Sequence, residues 1–120
     1  MKNRWIYHLS RQIDLKQSET LDIYSPSKED GIDGFMHFST AKQIAGSAAK
    51  HRSGETNLFL LEVDSRLLNN SLKWEPNREG DFFPHFFAPL KKEYVTRILE
   101  LPINSKGIHI FPKLKDEEYP

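Results

Sequence analysis

Apolar and polar side chains alternate over residues 5–9, so that Trp5, Tyr7 and Leu9 point one way and Ile6 and His8 the other. A period of two predicts a strand. Residues 10–17 follow as a helix with only Ile13 and Leu15 as apolar anchors. Residues 24–31 carry Pro26 and Gly31 among polar neighbours and read as a loop. After a turn at Asp33 and Gly34, residues 35–39 read as a short strand, with Phe35, His37 and Ser39 on one face and Met36 and Phe38 on the other. Thr40 then stands where a helix N-cap belongs, and Gln43 three residues later completes a capping box. The helix it opens is expected to reach His51, with Ala41, Ile44, Ala45 and Ala48 as its buried stripe and Ser53 and Gly54 as its stop.

Residues 57–64 are nearly continuously apolar, which marks a strand in the middle of a sheet. Residues 72–75 form a short strand that Pro76 ends, and 77–81 make a polar turn. Residues 82–87 are dense aromatic chain around His85, closed by Pro89. Residues 94–101 alternate again, with Val95, Leu99 and Leu101 on one face, and 108–111 suggest a last edge strand. Residues 112–120 form a C-terminal tail past the core, of which 115–120 read as solvated. Strands outnumber helices and do not alternate with them regularly. The expected fold is therefore α+β, with small split antiparallel sheets and one or two helices. A chain of 120 residues suits one domain, with its core over about residues 5–111.

Composition narrows the function classes. Lys plus Arg and Asp plus Glu number 17 each, so the chain lacks the basic excess of a nucleic-acid binder. There is no cysteine, which excludes disulfides, a thiolate nucleophile and any zinc site built on cysteine. No apolar run approaches the roughly 20 residues of a membrane span, and no signal-peptide core follows the N-terminus. A cytoplasmic location and no membrane partner are the expectation.

Candidate chemistry centres on histidine. His8, His37 and His85 sit inside apolar stretches of separate strands. Histidine is costly to bury in its charged form, and such settings tune it toward acid–base or ligand-binding work. Each has a plainer reading: His8 as a core histidine held by a backbone carbonyl, His37 as a turn residue with Ser39 helping to cap, and His85 as part of aromatic packing. Glu75, next to Trp74, is either a carboxyl with a raised pKa or a strand-end glutamate in water. His51 and His109 lack an apolar setting and read as surface residues, and Asp33 and Asp64 as turn and strand-end residues. A metal site from His8, His37, His85 and Glu75 has no supporting HxxxH or HxH spacing, so no metal is expected. No GxGxxG, P-loop or GxSxG motif is present.

Two histidine motifs carry a family resemblance. Asp33-Gly34-Phe35-Met36-His37-Phe38-Ser39-Thr40 and Phe83-Pro84-His85-Phe86-Phe87-Ala88-Pro89-Leu90, flanked by Tyr7-His8, the strand at 57–64 and Trp74-Glu75, resemble the bacterial domain of unknown function 952. The resemblance implies a fold similar to the ADP-ribosyltransferases and RNA 2'-phosphotransferases, which bind NAD in a cleft between two small antiparallel sheets. By that likeness His8 matches the histidine or arginine of the first strand, and His37 with Ser39 the position before the capped helix. The third position, usually a glutamate, falls near His85, which leaves Glu75 as the nearby carboxylate. The function this implies is a histidine-lined cleft that binds NAD or a related nucleotide, with ADP-ribosyl- or phosphotransferase-like chemistry. His8, His37 and Ser39 would hold its anionic part, Phe35 or Phe87 would stack on a planar ring, and His85 with Glu75 would do the chemistry. The competing readings are a binding module without turnover and a histidine-based metal-dependent hydrolase.

Overall fold

Residues 2–119 are described by a computed structural model of the chain. Its elements are β1 (Lys2–Asn3), β2 (Trp5–Arg11), α1 (Gln12–Gln17), β3 (Ile23–Tyr24), α2 (Lys28–Asp33), β4 (Met36–His37), β5 (Ser39–Thr40), α3 (Ile44–His51), β6 (Leu58–Asp64), β7 (Leu72–Pro76), β8 (Phe82–Phe86), β9 (Leu90–Lys91), β10 (Val95–Leu101) and β11 (Glu118–Tyr119). They form an α+β fold of small antiparallel sheets. The larger sheet has four strands in the order β10-β6-β2-β5, and the smaller has three in the order β4-β8-β7. Two short ribbons, β3-β9 and β1-β11, complete it.

The apolar run of β6 has the cause its pattern suggests: the strand is central, and both of its faces are covered. Leu61 and Val63 join Ile6, Met36, Phe38, Phe86 and Leu90 in one core, which lies toward the smaller sheet. Leu58 and Leu60 join Trp5, Tyr7 and Leu101 in a second core under Ile44 of α3. Each fully buried Leu or Val contributes about 1.5–3 kcal/mol. The alternation read in β2 matches this division, with Trp5 and Tyr7 on the α3 side and Ile6 on the other.

The stretch expected as one strand over 35–39 is divided. Met36 and His37 pair with β8, whereas Ser39 and Thr40 pair with β2. Between them Phe38 is buried, and its backbone N–H donates to the Pro84 carbonyl at 3.0 Å. The chain thus passes from one sheet to the other within a single residue. This crossing sets His37 directly opposite His85 in the β4-β8 pair and beside His8 of β2.

Four local expectations are corrected. Thr40 lies in β5, and α3 begins only at Ile44 with Gln43 as its N-cap. The reciprocal Thr40–Gln43 hydrogen bonds do form, at 3.1 and 3.3 Å, but they close the turn ahead of the helix. Residues 28–33, expected as loop as far as Gly31 and as a turn at Asp33, are helix α2. Ser27 and Asp30 make its capping box, and Gly34 ends it at φ 82°. Residues 108–111 supply only the bridge Ile103–His109, and His109 is buried with Nε2 2.7 Å from the Glu55 carbonyl oxygen.

The last correction concerns the C-terminal segment, which is anchored to the fold although most of its described side chains are exposed. Leu114 packs on the α3-side core, the Lys115 ammonium sits 4.0 Å from the Trp5 ring centre, and β11 pairs with β1. What holds the segment is a buried carboxylate. Glu62, fully buried in β6, accepts from the Tyr7 hydroxyl at 2.9 Å, Thr96 Oγ1 at 2.8 Å and Arg97 Nε at 2.9 Å. A register shift between Val95 and Arg97 interrupts β10 just where Arg97 turns to this carboxylate. Burial pushes the Glu62 carboxyl up, but these donors outweigh it and hold it below its ordinary value. Burial, reinforced by Glu62, drives the Tyr7 phenol up to about 12 despite the hydrogen bond it accepts from the Lys115 backbone N–H at 2.8 Å. Changing Tyr7 to Phe removes one donor to Glu62 and one acceptor for Lys115. The expected loss is about 1–3 kcal/mol in urea unfolding, with loss of hydrogen-exchange protection at the Lys115 amide. Unchanged protection at that amide would contradict this anchoring.

Candidate functional site

The passage of the chain between the sheets leaves a cleft of about 710 Å³. Its walls come from β2, α2, β4, the turn into α3, α3 itself and the β7-β8 hairpin. His8, His37, His85 and Ser39 all line it, so the structure brings these four expected residues together. Glu75 does not line the cleft. It reaches the cleft through His85, whose Nδ1 is 2.8 Å from Glu75 Oε1. Phe35 and Phe87 are placed elsewhere: they line a second cavity of about 370 Å³, and the phenylalanines on the cleft wall are Phe38, which is buried, and Phe83. Phe35 instead backs the histidines, stacked on His85 with ring centres 4.2 Å apart and lying 4.6 Å from His37.

Asp30, read from the sequence only as part of a loop, is the hub. It is 2 % exposed. Its Oδ2 accepts the Ser27 backbone N–H at 3.1 Å. Its Oδ1 accepts the His37 backbone N–H at 3.1 Å and His37 Nδ1 at 2.5 Å. The Ser27-x-x-Asp30 spacing was the available signal, hidden by Pro26 and Gly31. Asp33, expected as a turn residue, holds the other nitrogen of the same ring, 2.9 Å from His37 Nε2.

The three histidines are in different states. His8 has one ring nitrogen, Nδ1, 2.7 Å from the His37 carbonyl oxygen. A carbonyl only accepts, so Nδ1 carries the proton. His8 Nε2 lies 3.6 Å from Asp30 Oδ2, beyond hydrogen-bond length. Burial lowers the His8 pKa, although Asp30 and the His37 carbonyl oppose it, so the ring is neutral at pH 7. The hydrogen bond to Asp30 raises the His37 pKa, burial opposes that, and the Asp30 and Asp33 charges add to the rise. Asp30 shows the reverse effect. Burial pushes its carboxyl up, but the His37 hydrogen bond, the nearby His8 and the two backbone N–H groups outweigh it, leaving a pKa of about 2. His85 is oriented by Glu75, and its Nε2 has no hydrogen bond among the described residues. An imidazole held at Nδ1 by a carboxylate with Nε2 open is the arrangement that general acid–base catalysis uses.

Charge is divided across the cleft. Lys42, Lys50 and Arg52 stand on or beside α3, and Glu29, Asp30 and Asp33 belong to α2. Glu29 is tied to Arg11 by two hydrogen bonds of 3.2 Å and meets Arg52 at 3.6 Å, and among the described residues Lys50 meets only Glu79, at 3.8 Å. Ser39 and Ser47 join across the floor at 2.9 Å, linking β5 to α3. His51, expected on the surface, is exposed and also lines the cleft. Sequence reasoning had no signal for Lys50 or Arg52, because surface cations on a helix look alike until the helix is placed. Among the described residues no three histidines or acids are grouped to hold a metal ion, and no helix is long and apolar enough to cross a membrane.

A two-sheet α+β domain with a histidine-lined cleft is what these observations define. The chain belongs to the family described as protein of unknown function (DUF952), whose model matches residues 9–98. It is similar to the protein CC0527 from Caulobacter crescentus. The crystal structure of that protein is 34 % identical, with a TM-score of 0.84, covering 88 % of this chain and 93 % of that one. Its solution NMR structure is 35 % identical, with a TM-score of 0.77, covering 87 % and 90 %. No curated protein matches the chain.

The Asp30–His37 pair makes stability depend on pH in a defined window. Asp30 has a folded pKa depressed from 3.8, so its contribution is complete above about pH 4 and lost as pH falls toward 2. His37 is raised above 6.5, so its contribution is complete below that value and lost as pH rises through the folded pKa. Urea unfolding of wild type and Asp30→Asn should therefore differ most near pH 5.5, by on the order of 2 kcal/mol. The gap should narrow toward both pH 3 and pH 8.5. A gap that does not vary with pH would refute the pairing.

Proposed function

We propose that this cleft binds NAD or a related phosphorylated nucleotide, and that His85 with Glu75 is the acid–base pair available for transferase chemistry on it. The observation that carries the reading is the charge division across a cleft of about 710 Å³. That volume falls in the range of small-molecule and cofactor sites. NAD joins an anionic pyrophosphate to a cationic nicotinamide ring, so it can place opposite charges on opposite walls. Lys42 and Lys50 are the groups for the pyrophosphate, and His37, whose cationic form Asp30 favours, offers a further donor at the floor. Phe83 offers an aromatic face for a planar ring.

His8 has a supporting role here. Its one N–H is taken by the His37 carbonyl, so it orients His37 and does not itself donate to the ligand. His85 has a spare nitrogen and is less buried than His8, and it stands 5.6 Å from His37, ring centre to ring centre. The reading also leans on the likeness to ADP-ribosyltransferases and RNA 2'-phosphotransferases that the family resemblance implies, enzymes that bind NAD in a cleft between two small sheets. It is a likeness of fold, and fold alone does not assign a reaction. Because a histidine stands where those enzymes usually carry glutamate, ADP-ribosyl transfer should be slow, with binding the more robust property.

Isothermal calorimetry with NAD and ADP-ribose tests this. Both should bind the wild type. Lys50→Ala should weaken both by roughly two- to fivefold, with a loss that shrinks at high salt. His85→Ala should keep the binding and abolish any turnover of NAD. The absence of heat from either ligand with wild type would overturn the reading.

A further inference from the structure

The two nitrogens of His37 are held by two unlike carboxylates. Asp30, on Nδ1, is buried and fixed by its capping box. Asp33, on Nε2, has a side chain that is 48 % exposed and makes no other hydrogen bond or ion pair among the described residues. Both Asp33 and His37 line the cleft, so the outer nitrogen of this cationic ring meets the protein's own carboxylate on the wall where a ligand would bind.

Asp33 does little for its helix. It is the last residue of α2, where the partial negative charge of the helix end disfavours an acid. Gly34 already closes the helix through the hydrogen bond from its N–H to the Asp30 carbonyl at 2.8 Å. The bond from Asp33 is therefore made to the site, and it is the weaker kind. A half-exposed pair contributes about 0.2–1 kcal/mol, within reach of displacement by a more highly charged oxyanion.

We propose that Asp33 is a built-in competitor for the anion-binding position of His37. A phosphoryl or pyrophosphoryl oxygen takes its place on Nε2, and the released carboxylate turns to solvent. Asp33 then sets which anions bind. A singly charged carboxylate does not displace its own kind, whereas a phosphoryl group carrying more charge does. This deepens the nucleotide reading of the cleft and rests on it for the natural ligand.

The consequence runs against the usual effect of removing a contact residue: losing Asp33 should tighten binding. Asp81 provides the control, because it lines the same cleft with the same charge and does not touch His37. Calorimetry at about pH 6 with inorganic pyrophosphate and with NAD would compare wild type, Asp33→Asn and Asp81→Asn. Asp33→Asn should bind pyrophosphate roughly three- to fivefold more tightly than wild type, and Asp81→Asn should show less than half of that gain. Acetate should bind none of the three. In the wild type, pyrophosphate should also shift the His37 Nε2 resonance in ring-nitrogen NMR. Equal or weaker binding by Asp33→Asn, a gain matched by Asp81→Asn, or pyrophosphate binding to neither wild type nor Asp33→Asn would each overturn the proposal. If NAD fails with wild type while pyrophosphate still prefers Asp33→Asn, the nucleotide reading falls and the role of Asp33 stands.

Discussion

The carboxylate of Asp30 ends where there is almost no water, and the surroundings of the cleft keep its charge there. A buried anion without partners would cost several kcal/mol, so its donors are not optional. They come from two segments, the Ser27 backbone at the start of α2 and the backbone and ring of His37 in β4, and His8 of β2 joins them through the His37 carbonyl. Satisfying one side chain therefore docks a helix onto both sheets. The same requirement favours the cationic form of His37 at the floor of the cleft. His8 enters this arrangement through the His37 carbonyl, which fixes its tautomer and leaves it neutral. Stability and site electrostatics are in this way a single constraint.

A second buried carboxylate works on the opposite face of the same sheet. Glu62 gathers Tyr7, Thr96 and Arg97, and through Tyr7 it secures the backbone of Lys115. Tyr7 and His8 are neighbours in β2 and point to opposite sides, so one dipeptide serves both networks. The networks differ in what they leave open. Around Glu62 the donors close on the carboxylate and the C-terminal segment covers them. Around Asp30 the outer ring edge of His37 meets an exposed acid, and His85 Nε2 meets nothing among the described residues. The function proposed above is placed in the second arrangement, because there an incoming group can find a partner.

Much of this was readable in the chain. The alternation in β2 and the apolar run of β6 gave the central pair of the larger sheet, because burial on two faces leaves a direct mark on residue type. The histidines at 8, 37 and 85 stood out for the same reason, as polar groups inside apolar strands. Their actual roles were less legible. Nothing in the alternation of residues 35–39 marks Phe38 as the point where the chain changes sheets, since both halves keep the same period. Asp30 and Glu62 were missed because a buried acid looks like any other acid until its donors are known. Those donors lie from 3 to 55 residues away in the chain. The C-terminal segment was misread for a related reason: its anchors are a tyrosine hydroxyl and an indole face more than 100 residues earlier.

The central claim is that Asp30 divides the protons among the cleft histidines, leaving His37 charged and His8 neutral. Ring-nitrogen NMR of the wild type, followed from about pH 5 to pH 8, reads this directly, because each nitrogen reports its own protonation. The account predicts that His37 stays protonated on both nitrogens past pH 6.5, and that His8 is neutral at neutral pH with its proton on Nδ1. A charged His8 beside a neutral His37 at pH 7 would contradict it.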